Sequence, residues 1–438
     1  MIEQTVNNTI VHCYLQTIHV DQIATIAYKS STVDCLSFAQ LKQGRRKMNT
    51  LHISGLAQKP EELECSMRVL GDPRYSDPSA KENISELEEL VAVSPNGHWM
   101  ALRRKGSSQE EINTISRTDE GSEEIVVPMN FGWGQVCARD IADDGTLLFQ
   151  AELTPLFDDL GFARRPIVFT PENKKLFVLP PEYKEEEWLS GSLPTGRPKS
   201  HTPHCYASER TVFGWTHVNY DGRREANGHN ISHCVWRHQE TGEWVVEYMP
   251  KITNSKWLWP ASTGTFIWCD RPNRDSVVRF GLFDGTSMAT FDDVSIMGHG
   301  VAVLSVAKDS TFLGNFCVGD GRQEKSEEGE SELSCYAFLV RPHTKEIHVF
   351  NEFGNNPFLY AVSANGQYVI GSQPDVGYSL MKLEGNSYRY VALTARDWRI
   401  EDVTDVTDEG HVFAVATCTE RKHDCFRLKL PVLLIPQW

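Results

Sequence analysis

One repeated motif constrains this chain more than any other feature. A short apolar run meets a polar turn at Asn-Gly, Asp-Gly or Glu-Gly, and a second apolar run follows. Clear copies span 90–102 around Asn96-Gly97, 138–149 around Asp144-Gly145, 360–371 around Asn365-Gly366 and 403–415 around Glu409-Gly410. Weaker copies sit at 207–214, 261–268 and 305–314. Asn-Gly and Asp-Gly supply the positive φ angles of tight hairpin turns, and the β-branched and aromatic flanks suit pleated strands. The anchors from Gly97 to Gly410 recur at a mean spacing of about 52 residues, the length of a four-stranded propeller blade with some long loops. The expectation is an all-β propeller of about seven four-stranded blades. A chain of 438 residues would otherwise suggest about three domains.

Later strands of a unit are visible as well. Third strands read at His233-Cys-Val-Trp236, Tyr336-Ala-Phe-Leu-Val340 and Asp424-Cys-Phe-Arg-Leu428, and fourth strands within 240–246 and 343–350. The register Tyr336-Ala-Phe-Leu-Val340, Glu346-Ile-His-Val-Phe350, Tyr360-Ala-Val-Ser-Ala-Asn-Gly366 is similar to the HAF-type repeat, and through it to WD40-like propeller repeats. The resemblance covers about residues 300–430 and departs at the motif's histidine, replaced by Tyr336 and Asp424 and kept only at His233. It implies a propeller, in a family of bacterial and often extracellular proteins with no shared activity. Residues 1–85 fit the repeat poorly. They are expected to supply a ring-closing strand or a small cap, with alternating stretches in 10–27, while 86–438 form the propeller.

Charge narrows the partners. With 43 basic and 59 acidic side chains the net charge is −16, which disfavours nucleic acid. The N-terminus reads without a secretory leader, which favours the cytoplasm over non-classical secretion, although the resemblance points outward. No apolar run is long enough for a membrane-spanning helix. Three strongly polar segments, 106–124, 183–200 and 321–334, read as loops. The cluster Lys42-Gln-Gly-Arg-Arg-Lys47 reads as a solvated loop.

Candidate chemistry falls in three places. Five histidines crowd 201–233, and His204, His217, His233 and Cys234 form the set from which zinc would draw ligands, although no spacing matches a known zinc module. No resident cofactor is otherwise expected. Among the eleven cysteines, Cys317 with Cys335, and Cys418 with Cys425, stand at matched hairpin ends, either as disulfides or as buried thiols. Asp402, Asp405 and Asp408 read as turn and strand-face acids, or as glycosidase-type carboxylates. Of the tryptophans, Trp188, Trp215, Trp257 and Trp259 are the candidate binding residues, because exposed aromatic faces stack on sugars and anchor peptides. The expected function is a non-enzymatic binding or scaffolding propeller that engages a protein, peptide or glycan through rim loops. The alternative is a glycan hydrolase or lyase working in the central funnel.

Overall fold

The computed structural model describes residues 60–71, 86–105, 111–119, 122–128, 133–153, 163–179, 197–208, 211–219, 230–248, 256–260, 266–270, 277–283, 287–297, 299–307, 309–319, 333–350, 358–373, 376–384, 387–420 and 428–438. The chain divides into two compact units, Met1–Met48 and Asn49–Trp438, and all described residues belong to the second. The expected strand-like stretches of 10–27 lie outside the described residues.

Every described element is a strand or a turn. One strand, β1 (Glu61–Val69), precedes the repeats. Antiparallel groups of four follow. The first is β2 (Glu86–Val93), β3 (Trp99–Lys105), β4 (Glu111–Arg117) and β5 (Ile125–Val126). The second is β6 (Trp133–Ile141), β7 (Leu147–Leu153), β8 (Ala163–Thr170) and β9 (Lys175–Val178). The third is β10 (Arg197–Ser208), β11 (Thr211–Asn219), β12 (Asn230–His238) and β13 (Trp244–Tyr248). Next comes β14 (Lys256–Pro260), β15 (Phe266–Asp270), β16 (Val277–Phe283) and β17 (Met288–Met297). Then come β18 (His299–Val306), β19 (Phe312–Gly319), β20 (Leu333–Arg341) and β21 (Glu346–Phe350). After them run β22 (Phe358–Val362), β23 (Tyr368–Gln373), β24 (Gly377–Glu384) and β25 (Ser387–Thr394). The chain closes with β26 (Trp398–Val406), β27 (Val412–Cys418) and β28 (Lys429–Pro436).

The fold is an all-β propeller, but the expected seven separate four-stranded sheets are corrected to five sheets among the described residues. Three have four strands. Two have eight, because single parallel junctions fuse neighbouring groups: β1 joins β25 through Glu61–Glu64, and β10 joins β8 through Ser200 and Arg164. The last group has three strands of its own and takes β1 as its fourth, pairing Cys65–Val69 antiparallel with Val432–Pro436. The third strand here is thus β28, not the expected 424–428, of which only Leu428 is described. A second correction concerns 106–124, expected to be loop. Residues 111–117 form β4, where Asn113, Thr114 and Ser116 are buried among strand partners.

Apolar alternation on both faces of each group explains the assembly, since each face must be buried against a neighbour. Leu148 and Val168 of the second group meet Val212 and Trp236 of the third. Phe213 and Val235 meet Leu258 and Phe266, and Ile267 and Phe280 meet Phe312 and Phe338. The series closes on itself: Leu87, Leu90 and Met100 of the first group share a cluster with Phe413, Val415 and Leu433 of the last. The first strands of the groups follow the same cyclic order, with β26 packed against β2.

Candidate functional site

The strand order separates two ends of the propeller. Where the connection between first and second strands is described throughout, it is a tight turn, as at 94–98, 142–146, 363–367 and 407–411. The connections from second to third strand, and from one group to the next, leave from the opposite end, where the first strands begin. Of the long polar segments read from the sequence, 183–200 and 321–334 adjoin that leading end, while 106–124 starts there and runs through β4 to the turn end. Aromatic residues stand at both ends; Trp99, Phe266, Phe312 and Tyr368 open second strands at the turn end, and another set stands at the leading end. Trp133, Phe358 and Trp398 open β6, β22 and β26, and Trp257 is the second residue of β14. Phe358 is half exposed, at 50%, and Trp398 is half-buried against the Val403/Val412 cluster.

The turn end is occupied with holding neighbours together. The Asn96 backbone N–H donates to Asp143 Oδ1 at 2.7 Å, and its side-chain amide donates to the Asp143 carbonyl at 3.3 Å. The same pair of bonds recurs, at the same lengths, from Asn365 to Asp408. Within each turn the serine hydroxyl, Ser94 or Ser363, bonds the asparagine Oδ1. Two turn glycines let a neighbouring ring approach closely: a β-carbon at Gly145 would lie 2.6 Å from Trp99, and one at Gly410 would lie 2.6 Å from Tyr368. The asparagine-glycine turns therefore serve inter-group latches as well as hairpins.

Between the two ends, six of the seven first strands, all but β14, carry bulges at matching positions. One residue loops out between Leu90 and Ala92, between Ala138 and Asp140, between Pro203 and Cys205, between Val303 and Ser305, between Leu359 and Ala361, and between Val403 and Asp405. These bulges place Val91, Arg139, His204, Leu304, Tyr360 and Thr404 out of the ladder. Thr404 donates to the Leu90 carbonyl at 2.9 Å, tying last group to first. Beside the bulges, Asp140, Asp402 and Asp405 each accept the amide of the following residue at 2.8–2.9 Å.

Acids and tyrosines gather near these strands. Glu89 is paired with Arg103, whose Nε also lies 3.6 Å from Glu88. Burial pushes the Glu89 carboxyl upward, opposed by the Arg103 and Arg139 charges and reinforced by those of Glu88 and Glu111. Burial pushes the Asp402 carboxyl up to about 7, reinforced by the Glu89 charge and opposed by the Val403 amide. Asp405 is pushed up to about 7 by burial and by the Asp140 and Asp408 charges. Tyr360 bonds Ser372 at 3.1 Å and packs at 6.1 Å on Tyr378, whose hydroxyl donates to the Glu401 carbonyl. Both phenols are shifted upward, first by burial and then by the Asp402 charge. Within this group the carboxyls of Asp402 and Asp405, not the phenols, have proton affinities raised toward neutral pH.

The sequence-expected residues distribute unevenly. Trp188 and the side chains of Trp215, Trp257, His204, His217, His233 and Cys234 lie outside the described residues. Trp259 is half-buried against the Ile267/Phe280 cluster, a packing position. The backbone register still orders the proposed zinc set. His217 is opposite Ile231, so His233 is its diagonal neighbour on the adjoining strand. Cys234 is opposite Gly214, one step out of phase with that row, and alternation assigns it to the other face. His204 is displaced four residues along β10 from Ser200, the partner of His217, or about 13 Å of strand. The register brings two of the four together. The described residues hold no cluster of three or more metal-ligating side chains. Cys418 is a free, buried thiol whose Sγ donates to the Glu420 carbonyl at 3.6 Å, and Cys425 lies outside the described residues. Sequence reading missed the acid–tyrosine group, because Asp402 and Tyr360 meet only through packing of separate repeats.

Neither known protein families nor curated proteins match this chain. Among solved structures it is similar to an oligogalacturonate lyase of Vibrio parahaemolyticus, at 12% identity and TM-score 0.45, over 86% of this chain and 98% of that one. It is also similar to the β-propeller domain of Cps50 (Swd1) of Myceliophteria thermophila, at 10% identity and TM-score 0.42, over 81% and 97%. A third is an acylaminoacyl peptidase of Pyrococcus horikoshii, at 9% identity and TM-score 0.43, over 80% and 51%. The propeller assignment stands on the strand order and the inter-group clusters. No helix among the described residues is long and apolar enough to cross a membrane.

Proposed function

We propose that this chain is a non-enzymatic binding propeller that holds a protein, peptide or glycan at the leading end of its first strands. In this reading each antiparallel group of four is one blade of a seven-bladed ring. The segment 1–85 contributes β1 as the strand that ties the last blade, in a protein of HAF- or WD40-like type. The supporting observation is the set of aromatic residues at the first or second position of β6, β14, β22 and β26, at the end from which the long connections leave. Aromatic faces flanked by polar loops suit stacking on sugars and anchoring of peptide side chains.

The second reading, a glycan hydrolase or lyase, is favoured by Asp402 alone: a carboxyl raised to about 7 beside two tyrosines is an acid–base candidate. Binding of the full chain to arrayed oligosaccharides and to a peptide library separates the two. The binding reading expects a retained ligand that Phe358→Asp weakens at least about tenfold, equivalent to the loss of one buried aromatic anchor. Glu240→Lys, in a turn at the other end, leaves that ligand bound. Steady release of cleaved sugar, abolished by Asp402→Asn and unaffected by Phe358→Asp, replaces the first reading with the second.

A further inference from the structure

Strands β19 and β20 pair without a bulge over eight positions, from Phe312 with Val340 to Gly319 with Leu333. That register sets Cys317 directly opposite Cys335. Among the described strands no other cysteine has a cysteine as its partner: Cys65 faces Pro436, Cys137 faces Gln150, Cys269 faces Trp257 and Phe280, and Cys418 faces Trp398. Directly opposed residues of an antiparallel pair stand about 4.5–5.5 Å apart at Cα, whichever hydrogen-bonding position they occupy. A disulfide spans Cα separations of about 4.4–6.8 Å. On the other side of β19, His299 of β18 is the register partner of Cys317. The three residues thus form one row across three strands, His299–Cys317–Cys335, on one face of the sheet. The row lies where β19 ends and β20 begins, bracketing the acidic segment 320–332.

From this register we propose that Cys317 and Cys335 form a reversible cross-strand disulfide, with His299 as the positioned base that takes the Cys317 proton. The oxidant is a low-molecular-weight disulfide. The Cys317 thiolate attacks one of its sulfurs, forms a mixed disulfide and releases one thiolate. The Cys335 thiolate then attacks the Cys317 sulfur and releases the second. The protein loses two electrons and two thiol protons, and the small disulfide leaves as two thiols. This site is independent of the binding reading: it uses the register of β18–β20 and no ligand.

The test uses the full reduced chain incubated with excess oxidised glutathione, quenched by alkylation and digested with trypsin without reductant. Arg322 and Lys325 lie between the two cysteines, so digestion separates their peptides. The expected product is a Cys317 peptide joined to a Cys335 peptide, lighter than the pair by two hydrogens and resolved by later reduction. Cys335→Ser traps Cys317 as its glutathione adduct. His299→Ala slows closure at neutral pH by about tenfold or more and moves its onset to higher pH, as loss of a base does. Recovery of both cysteines singly alkylated, or of Cys317 joined to another cysteine, overturns the disulfide. An unchanged rate and pH profile in His299→Ala overturns the role of the histidine.

Discussion

Gly410→Ala probes the contact between neighbouring groups most directly. Gly410 has φ +82°, and a β-carbon there falls 2.6 Å from Cε1 of Tyr368. Two costs add. A left-handed backbone costs a residue bearing a β-carbon about 1–2 kcal/mol. Forcing that carbon against a ring only 9% exposed, and so unable to swing aside, costs about 1–3 kcal/mol more. Gly242 is the internal control: its φ is +85°, and a β-carbon there meets nothing within 4 Å. Gly242→Ala therefore loses about 1–2 kcal/mol from the backbone alone, and Gly410→Ala about 2–5 kcal/mol. Urea unfolding followed by tryptophan fluorescence reads both, with midpoint shifts converted at a common slope. Gly145→Ala, whose β-carbon would strike Trp99 at 2.6 Å, behaves like Gly410→Ala. Equal losses at Gly242 and Gly410 would refute the claim that turn glycines admit the neighbouring group's ring.

Four further outcomes are expected. Asp402 and Asp405 hold protons up to about pH 7 in the folded chain and only to about 4 when unfolded, so stability falls as pH rises between those values. Asp402→Asn combined with Asp405→Asn flattens that slope in thermal melts, and an unaltered slope means that these carboxyls are not the groups responsible. Arg104 and Glu124 form a buried two-bond ion pair at 2.5 and 2.8 Å, also held by Thr114. Arg104→Met costs about 3–5 kcal/mol by stranding Glu124, while Arg104→Met with Glu124→Leu recovers most of it; chemical unfolding of both variants checks the sign. Phe413→Ala, in the cluster joining last group to first, costs about 3–5 kcal/mol by the same assay. Elemental analysis of protein purified without chelator returns no stoichiometric zinc; one zinc per chain that disappears in His217→Ala would restore the metal reading.

The hairpins were legible because their determinants are local. Positive-φ residues at 97, 145, 366 and 410 and apolar flanks occupy a single stretch of chain, and each anchor became the turn between a first and second strand. The strand β1 was legible in principle: Leu63, Cys65, Met67 and Val69 alternate with polar residues. Its partner was not, because Gln437 donates to the Glu64 carbonyl and Thr394 to that of Leu63 across most of the chain. The polar strand β4 was read as loop because Asn113, Thr114 and Ser116 look solvated until a ladder on each side accounts for their burial.

The site divides along the same line. Asp402 and Asp405 were visible as acids, but their proton affinity belongs to the surroundings that separate repeats build around them. The cysteine pair shows both halves at once. The sequence by itself placed Cys317 and Cys335 at facing strand ends, since hairpin connectivity is local. Their bulge-free register, and the arrival of His299 from the neighbouring strand, came with folding of the sheet. Local turn chemistry and alternation determine that this chain folds into repeated antiparallel units. How those units fuse into five sheets, latch through Asp143 and Asp408, and close through β1 depends on hydrogen bonds between residues that meet only after folding.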